Sequence, residues 1–232
     1  MWEWIMPRAL AQGEGAGGPA GWLSDVFSKF QDISAPTWII LGVLCTLGAG
    51  LLIVFRDRTK WTPRLLAYAA LSIALGFVLS YVRLWKMLQG GSITPGSMLP
   101  LMLFSYQFGL APGIVVGVAY GFLQFIQDAR MLNPWQVLLD YPIAFGMMGL
   151  AAMFRRGKGP WGLYGGIALA SLGRFFASVL SGVVFFGEYA PAGTHPLLYS
   201  IAYNGSYMLP EMAICLLVAA LAAPRLLKGI RR

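Results

Sequence analysis

Asp140 has the greatest capacity for chemistry in this chain, because it is a carboxylate four or five positions into an apolar run, QVLLDYPIAF over residues 136–145. A charge inside an apolar helix costs on the order of a few kcal/mol, so it marks either a ligand or ion contact or an acid stabilised by the dipole at a helix start. Tyr141 and Pro142 follow it directly, which favours a site that opens toward the adjoining loop. Asn204 stands in YSIAYNGSY, residues 199–207, one position from the stripe Tyr199, Tyr203 and Tyr207 at four-residue spacing on one helical face. Such a face offers aromatic walls and one amide able to donate and accept side by side. The alternative for the tyrosines is an interfacial aromatic belt.

Arg174 is a second charge inside an apolar segment, with Asp140 or Glu211 as a structural partner or a ligand as its contact. Glu188 and the single histidine, His195, fall in a polar connection, where Glu188 reads as a solvated acid. His195 has no second ligand at metal-binding spacing. Cys45 and Cys215 sit apart in apolar stretches and read as buried thiols. The sequence holds no Walker lysine motif, no paired-cysteine motif, no Gly-x-Ser-x-Gly and no His-Glu-x-x-His, so catalysis has little to stand on and no metal or cofactor is implied. Any uphill transport then needs another protein or an ion gradient.

The elements that must hold these residues are membrane helices. Of 232 residues, 58% are hydrophobic and only 11% charged, against about a quarter in soluble domains. Apolar blocks of roughly 17–25 residues, each long enough to cross a bilayer, alternate with charged connections. The net charge of +8 lies between those blocks rather than on a soluble face, which excludes a nucleic-acid-binding reading. Spans are expected at about 36–55, 65–82, 97–109, 112–127, 135–154, 161–186 and 197–223, the third short enough for a tilted or re-entrant hairpin with a tight turn over 109–113. Residues 1–35 read as an outer tail, 36–55 as an extra helix, 56–64 as a cytoplasmic linker, 65–224 as a six-helix core and 225–232 as a basic cytoplasmic tail. Arg56, Arg58, Lys60, Arg64, Arg155, Arg156, Lys158, Arg225, Lys228, Arg231 and Arg232 then share one side. The positive-inside rule puts that side in the cytoplasm and the amino terminus outside. The outer connections 88–95, 127–134 and 187–196 hold most of the unassigned polar residues, so the site is expected to face outward.

Four runs taken together, GGSITPGSMLP (90–100), QVLLDYPIAF (136–145), SGVVFFGEYAP (181–191) and YSIAYNGSY (199–207), resemble the thiamine-specific S components (ThiT family) of energy-coupling-factor importers. The resemblance covers about residues 62–228 in order and at family spacing. It implies an all-α six-helix core that binds thiamine near the outer surface and docks on a transmembrane coupling protein and two ATPases, with ATP used only by those partners. It assigns the aminopyrimidine to Asp140 and Asn204, and it matches Tyr141, Tyr199 and the loop Gly90, Gly91 and Ser92 to the family site. Ser178 and Phe186 stand where some relatives carry a histidine and a tryptophan, so a thiamine precursor or analogue is an alternative ligand. Independently of the family, an aminopyrimidine presents donor and acceptor to carboxylate and amide, and a flat thiazolium cation suits aromatic faces.

The resemblance also matches Ala67, Ala70 and Ala74, at i, i+3 and i+7 on the first core helix, to the alanine motif used for docking on the coupling protein. Small residues let helices approach closely in lipid, although packing within the chain would use them equally well. Two readings from other classes are a membrane-embedded enzyme acting on a lipid and a structural scaffold. An enzyme would need two or more convergent acid/base groups or a metal cluster, and the scaffold would bind no small molecule.

Overall fold

Proline sets where most of the helices begin. The structure is a computed structural model that describes residues 61–230 apart from 88–89, 129–131, 133, 156–159 and 192, with side chains as far as residue 222. Among the described residues are six helical rods: α1 (Pro63–Tyr81), α2 (Leu99–Phe108), α3 (Leu110–Gln127), α4 (Pro134–Phe154), α5 (Pro160–Phe185) and α6 (Pro196–Ile230). All but α3 carry proline at the first or second position, where its missing N–H removes no helical bond. Thr62 completes the start of α1 by accepting the Leu65 N–H on its Oγ1 at 3.2 Å.

Five rods are long and apolar enough to cross a bilayer. The exception, α2, has ten residues and spans only about 15 Å. It is held inside the bundle against α1, α3 and α4, with Leu101, Met102, Phe104, Ser105 and Tyr106 all buried. The expected turn over 109–113 shrinks to Gly109 alone, whose φ of 114° breaks the chain between α2 and α3. Pro112 falls in the first turn of α3, where it is tolerated. At the other end α6 runs to Ile230, so the helix continues through most of the segment expected as a separate tail. The tail 1–35, the extra span 36–55 and most of the linker 56–64 lie outside the described residues.

Glycine brings α3 and α4 into backbone contact. Gly113, Gly117 and Gly121 form one stripe on α3, and a Cβ on Gly121 would lie 2.6 Å from the Tyr141 carbonyl oxygen. One on Gly117 would overlap the carbonyl of Phe145, and one on Gly113 would lie 3.0 Å from Gly149 Cα. Close approach of this kind substitutes dispersion contact for the hydrophobic drive that lipid does not supply. The segment between α1 and α2 adds a short antiparallel hairpin, β1 (Trp85–Lys86) with β2 (Ser92–Ile93), in which Trp85 faces Ile93 and Lys86 faces Ser92. The sequence alone predicts a plain outer connection over 88–95 there.

Candidate functional site

Asp140 lies where α4 stops being an α-helix. Pro142 has no N–H to give, and residues Leu139–Ile143 widen into a π turn in which the Ala144 N–H reaches the Leu139 carbonyl. Single π turns of this sort displace one side chain from regular helical register and recur at functional sites. The carboxylate is oriented from its own helix, as Gln136 Nε2 donates to Asp140 Oδ2 at 2.5 Å. The neighbouring Tyr141 turns its hydroxyl to the Asp128 carbonyl oxygen at 2.8 Å and packs its ring edge-on against Phe125.

The amino-terminal half of α6 forms the facing wall. Tyr199 and Tyr203 stack with centroids 6.2 Å apart, and Tyr203 meets Tyr207 edge-on at 5.8 Å. Asn204 is buried beside them with both ends of its amide engaged. Its Oδ1 accepts from the Tyr207 hydroxyl at 2.8 Å, while Nδ2 donates to the Ser200 carbonyl at 3.0 Å and the Ser178 carbonyl at 3.4 Å. Gly182 on α5 makes room for this arrangement, since a side chain there would overlap Ser200 Oγ.

Gly91, just ahead of β2, covers part of this wall. Gly91 sits flat on the Tyr207 ring, where an added Cβ would lie 2.5 Å from Cε1, and its N–H donates to the Tyr203 hydroxyl at 3.4 Å. The hairpin is tied to the end of α3 by Asp128, whose Oδ2 lies 2.8 Å from Arg83 Nη1 and 3.1 Å from Lys86 Nζ. Burial works against ionisation of Asp128, but Lys86 and then Arg83 outweigh it and hold its carboxyl below the ordinary value.

Beneath the wall lies a buried charged cluster. Arg174 Nη1 stands 3.9 Å from Glu211 Oε2, donates to Met98 Sδ at 2.7 Å, and the guanidinium carbon sits 4.5 Å above the Phe145 ring. Glu211 Oε1 accepts from Thr94 Oγ1 at 2.5 Å and from Ser97 Oγ at 3.3 Å. Of the two partners the sequence offered Arg174, the ion pair is therefore with Glu211.

Asp140, the tyrosine wall, Gly91 and Arg174 line a cavity of about 930 Å³, counting its open mouth, while Thr94, Ser97, Met98 and Glu211 line a second, smaller one that shares Arg174 with it. All eight residues expected at the ligand, Asp140, Tyr141, Asn204, Tyr199, Phe186, Ser178, Gly91 and Ser92, line the larger cavity, as does Gly90. Ser178 supplies its carbonyl to the Asn204 amide, and Phe186 packs near Tyr189 with centroids 5.9 Å apart. Arg83, Gln124, Asp128 and Phe145 also line the cavity and were not singled out from the sequence. Arg83 and Asp128 carried a usable signal, since each is a charge at the outer end of an apolar span, and two such ends of opposite sign can pair. Gln124 and Phe145 carried none, as each reads as an ordinary helix residue. Ala67, Ala70 and Ala74 lie elsewhere, exposed on α1 beside Leu66, Leu71 and Leu75. Glu188 is exposed, and His195 Nδ1 accepts the Leu197 N–H at 3.2 Å at the start of α6.

The sequence model of the thiamine transporter protein family (Thia_YuaJ) matches residues 66–228. The chain belongs to this family. Two curated relatives in the thiamine transporter family carry the name thiamine transporter ThiT. One, from Bacillus subtilis (strain 168), is 37% identical over 190 residues, covering 75% of this chain and 98% of the relative. The other, from Lacticaseibacillus paracasei, is 32% identical over 147 residues, covering 56% and 73%. A solved structure of ThiT from Listeria monocytogenes superposes with a TM-score of 0.63 at 24% identity, over 70% of this chain and 96% of that one, and supports the fold. Membership in the thiamine transporter family, with five span-length apolar helices, makes this a multi-pass membrane protein of a transporter family and sets aside the enzyme reading.

Proposed function

We propose that this chain captures thiamine from the outer side of the membrane in the cavity between α4 and α6. The observation that carries the reading is the convergence of Asp140, Asn204 and the tyrosine face on that one cavity, in a chain 37% identical to a protein described as a thiamine transporter. In this reading Asp140 and Asn204 take the donor and acceptor edge of the aminopyrimidine, and Asp140 also offsets the thiazolium charge. Tyr141, Tyr199 and Phe186 bound the rings, while Gly90, Gly91 and Ser92 close over them. Because Asn204 is engaged at both ends without ligand, the pyrimidine must share or displace the Tyr207 and Ser200 bonds.

Delivery inward follows the family pattern in this proposal. The chain acts as a substrate-binding subunit, docked through the Ala67, Ala70 and Ala74 face on a transmembrane coupling protein with two ATPases. That face is exposed and apolar, which suits a partner helix as well as lipid. The gathering of basic residues on one side supports a cytoplasmic carboxyl terminus and an outward-facing cavity. Calorimetric titration of the purified protein with thiamine tests the reading: saturable binding that Asp140→Asn weakens supports it, and no binding by the folded wild type overturns it.

A further inference from the structure

The charges around the cavity are arranged in three groups. At the mouth, Arg83 and Lys86 share Asp128; at the floor, Arg174 pairs with Glu211; between them Asp140 is held by a neutral amide, Gln136. Counted among the described residues, these are three cations and three anions. Arg174 is the unusual member, because it lines the same cavity as Asp140 while its ion-pair partner is Glu211. Its Nε is buried and has no hydrogen-bond partner among the described residues, so the guanidinium is not fully engaged where it stands. Its contacts are the Glu211 carboxylate at 3.9 Å, itself only 3% exposed and held by Thr94 and Ser97, together with Met98 Sδ and the Phe145 ring.

We propose that Glu211 is a specificity-determining residue that acts without touching the ligand: it holds Arg174 back from Asp140, so that the cavity keeps a carboxylate free for a cationic ligand. Removing the charge of Glu211 leaves the surrounding groups with one excess positive charge and frees Arg174 to pair with Asp140. A cation is then repelled twice over, once by the excess charge and once through loss of its counter-ion. A neutral ligand of the same shape meets neither penalty.

This rests on the cavity being a thiamine site, and the experiment separates the two ideas. Binding of thiamine and of a neutral isostere, in which carbon replaces the quaternary nitrogen of the thiazolium, is titrated for wild type, Glu211→Gln and Glu211→Gln/Arg174→Met. Glu211→Gln should weaken thiamine binding by at least about tenfold, the effect of one buried charge at short range, and the isostere by less than about threefold. The double variant should regain most of the preference for the cation, because the freed guanidinium is gone. Should Glu211→Gln not fold, Arg174→Met reads the same electrostatics with opposite sign and should raise the preference for the cation. Parallel loss of both ligands in Glu211→Gln, or an unchanged preference in Arg174→Met, overturns the proposal. Failure of the wild type to bind thiamine would instead overturn the reading of the cavity.

Discussion

The Tyr207 hydroxyl donates to Asn204 Oδ1 across 2.8 Å, three residues away on α6. That bond fixes which end of the amide accepts and which donates, since Nδ2 is already turned toward the Ser200 and Ser178 carbonyls. A ligand edge meeting Asn204 therefore meets an amide whose orientation is decided in advance, which lowers the ordering penalty of binding.

Asp140→Asn and Asn204→Ala should each weaken thiamine binding by at least about tenfold. A lost charge-assisted hydrogen bond in a buried site is worth roughly 1.5–3 kcal/mol, and 1.4 kcal/mol is a factor of ten. Asp140 should matter more, because it serves both the pyrimidine edge and the cation. Tyrosine or tryptophan quenching on monodisperse protein measures both, and unaltered affinity in the two variants would move the ligand out of this cavity.

Gly91→Ala should also weaken binding, by roughly five- to tenfold, about 1–1.4 kcal/mol. A methyl group at residue 91 meets the Tyr207 ring at 2.5 Å, so either the loop lifts from the wall or the ring turns and releases Asn204. Combining it with Tyr207→Ala removes the collision. The double variant should then bind no worse than Tyr207→Ala alone, and a further loss in the double variant would show that the contact is not what matters.

The helices and the residues that line the candidate cavity were legible for different reasons. Among the described residues the span starts lie within a few residues of those expected because charge and proline bound each apolar block, as at Pro134, Pro160 and Pro196, whereas the last helix overruns its expected end to Ile230. Asp140 and Asn204 stood out because a carboxylate and an amide are rare in such blocks. The π turn under Asp140 was not legible. Pro142 announces a broken helix, but whether the chain kinks or widens depends on the room its backbone is given. Here that room is the bare glycine stripe of α3 against the Tyr141 and Phe145 carbonyls. The β1–β2 hairpin was hidden for a similar reason, since its two-residue strands are too short to show alternation.

The tie between the hairpin and α3 should hold through mildly acid conditions. Asp128 has its carboxyl held below the ordinary value of 3.8, so it is ionised above that value, and its contribution is lost only as the pH falls through the lowered folded value. Hydrogen exchange of residues 84–95 should therefore change little from this source between about pH 8 and pH 5, whereas Asp128→Asn should speed it at every pH in that range. The pair is part-exposed, so added salt should speed exchange as well. Protection that is the same in Asp128→Asn and wild type would mean that the loop is held by Gly91 and the tyrosines alone.

The gathering of basic residues on one side predicts the membrane orientation. In a background with Cys45 and Cys215 replaced, a cysteine at Glu188 should react with an impermeant maleimide in intact cells. One at Arg155 should react only after permeabilisation, because both positions are exposed but lie at opposite ends of the bundle. Labelling of position 155 from outside would invert the arrangement and turn the cavity toward the cytoplasm.

Ala70→Leu and Ala74→Leu should leave thiamine binding within about twofold in detergent and yet lower uptake in cells at least about fivefold; twofold is near 0.4 kcal/mol, within the scatter of a surface substitution. Both positions are exposed on α1, so a larger side chain displaces no neighbour within the chain, and the added carbons face lipid at little cost. Against a partner helix the same carbons are expensive, because helices in lipid associate by close backbone approach across small residues. The face is bordered by the exposed Leu66, Leu71 and Leu75, whose larger side chains suit lipid. Enlarging these alanines should push a coupling helix away without altering a cavity lined from α3, α4, α5, α6 and the segment between α1 and α2. Uptake and binding measured on the same variants separate the two effects: normal uptake by both variants would place the docking surface on another helix, and loss of binding would show that α1 supports the cavity after all.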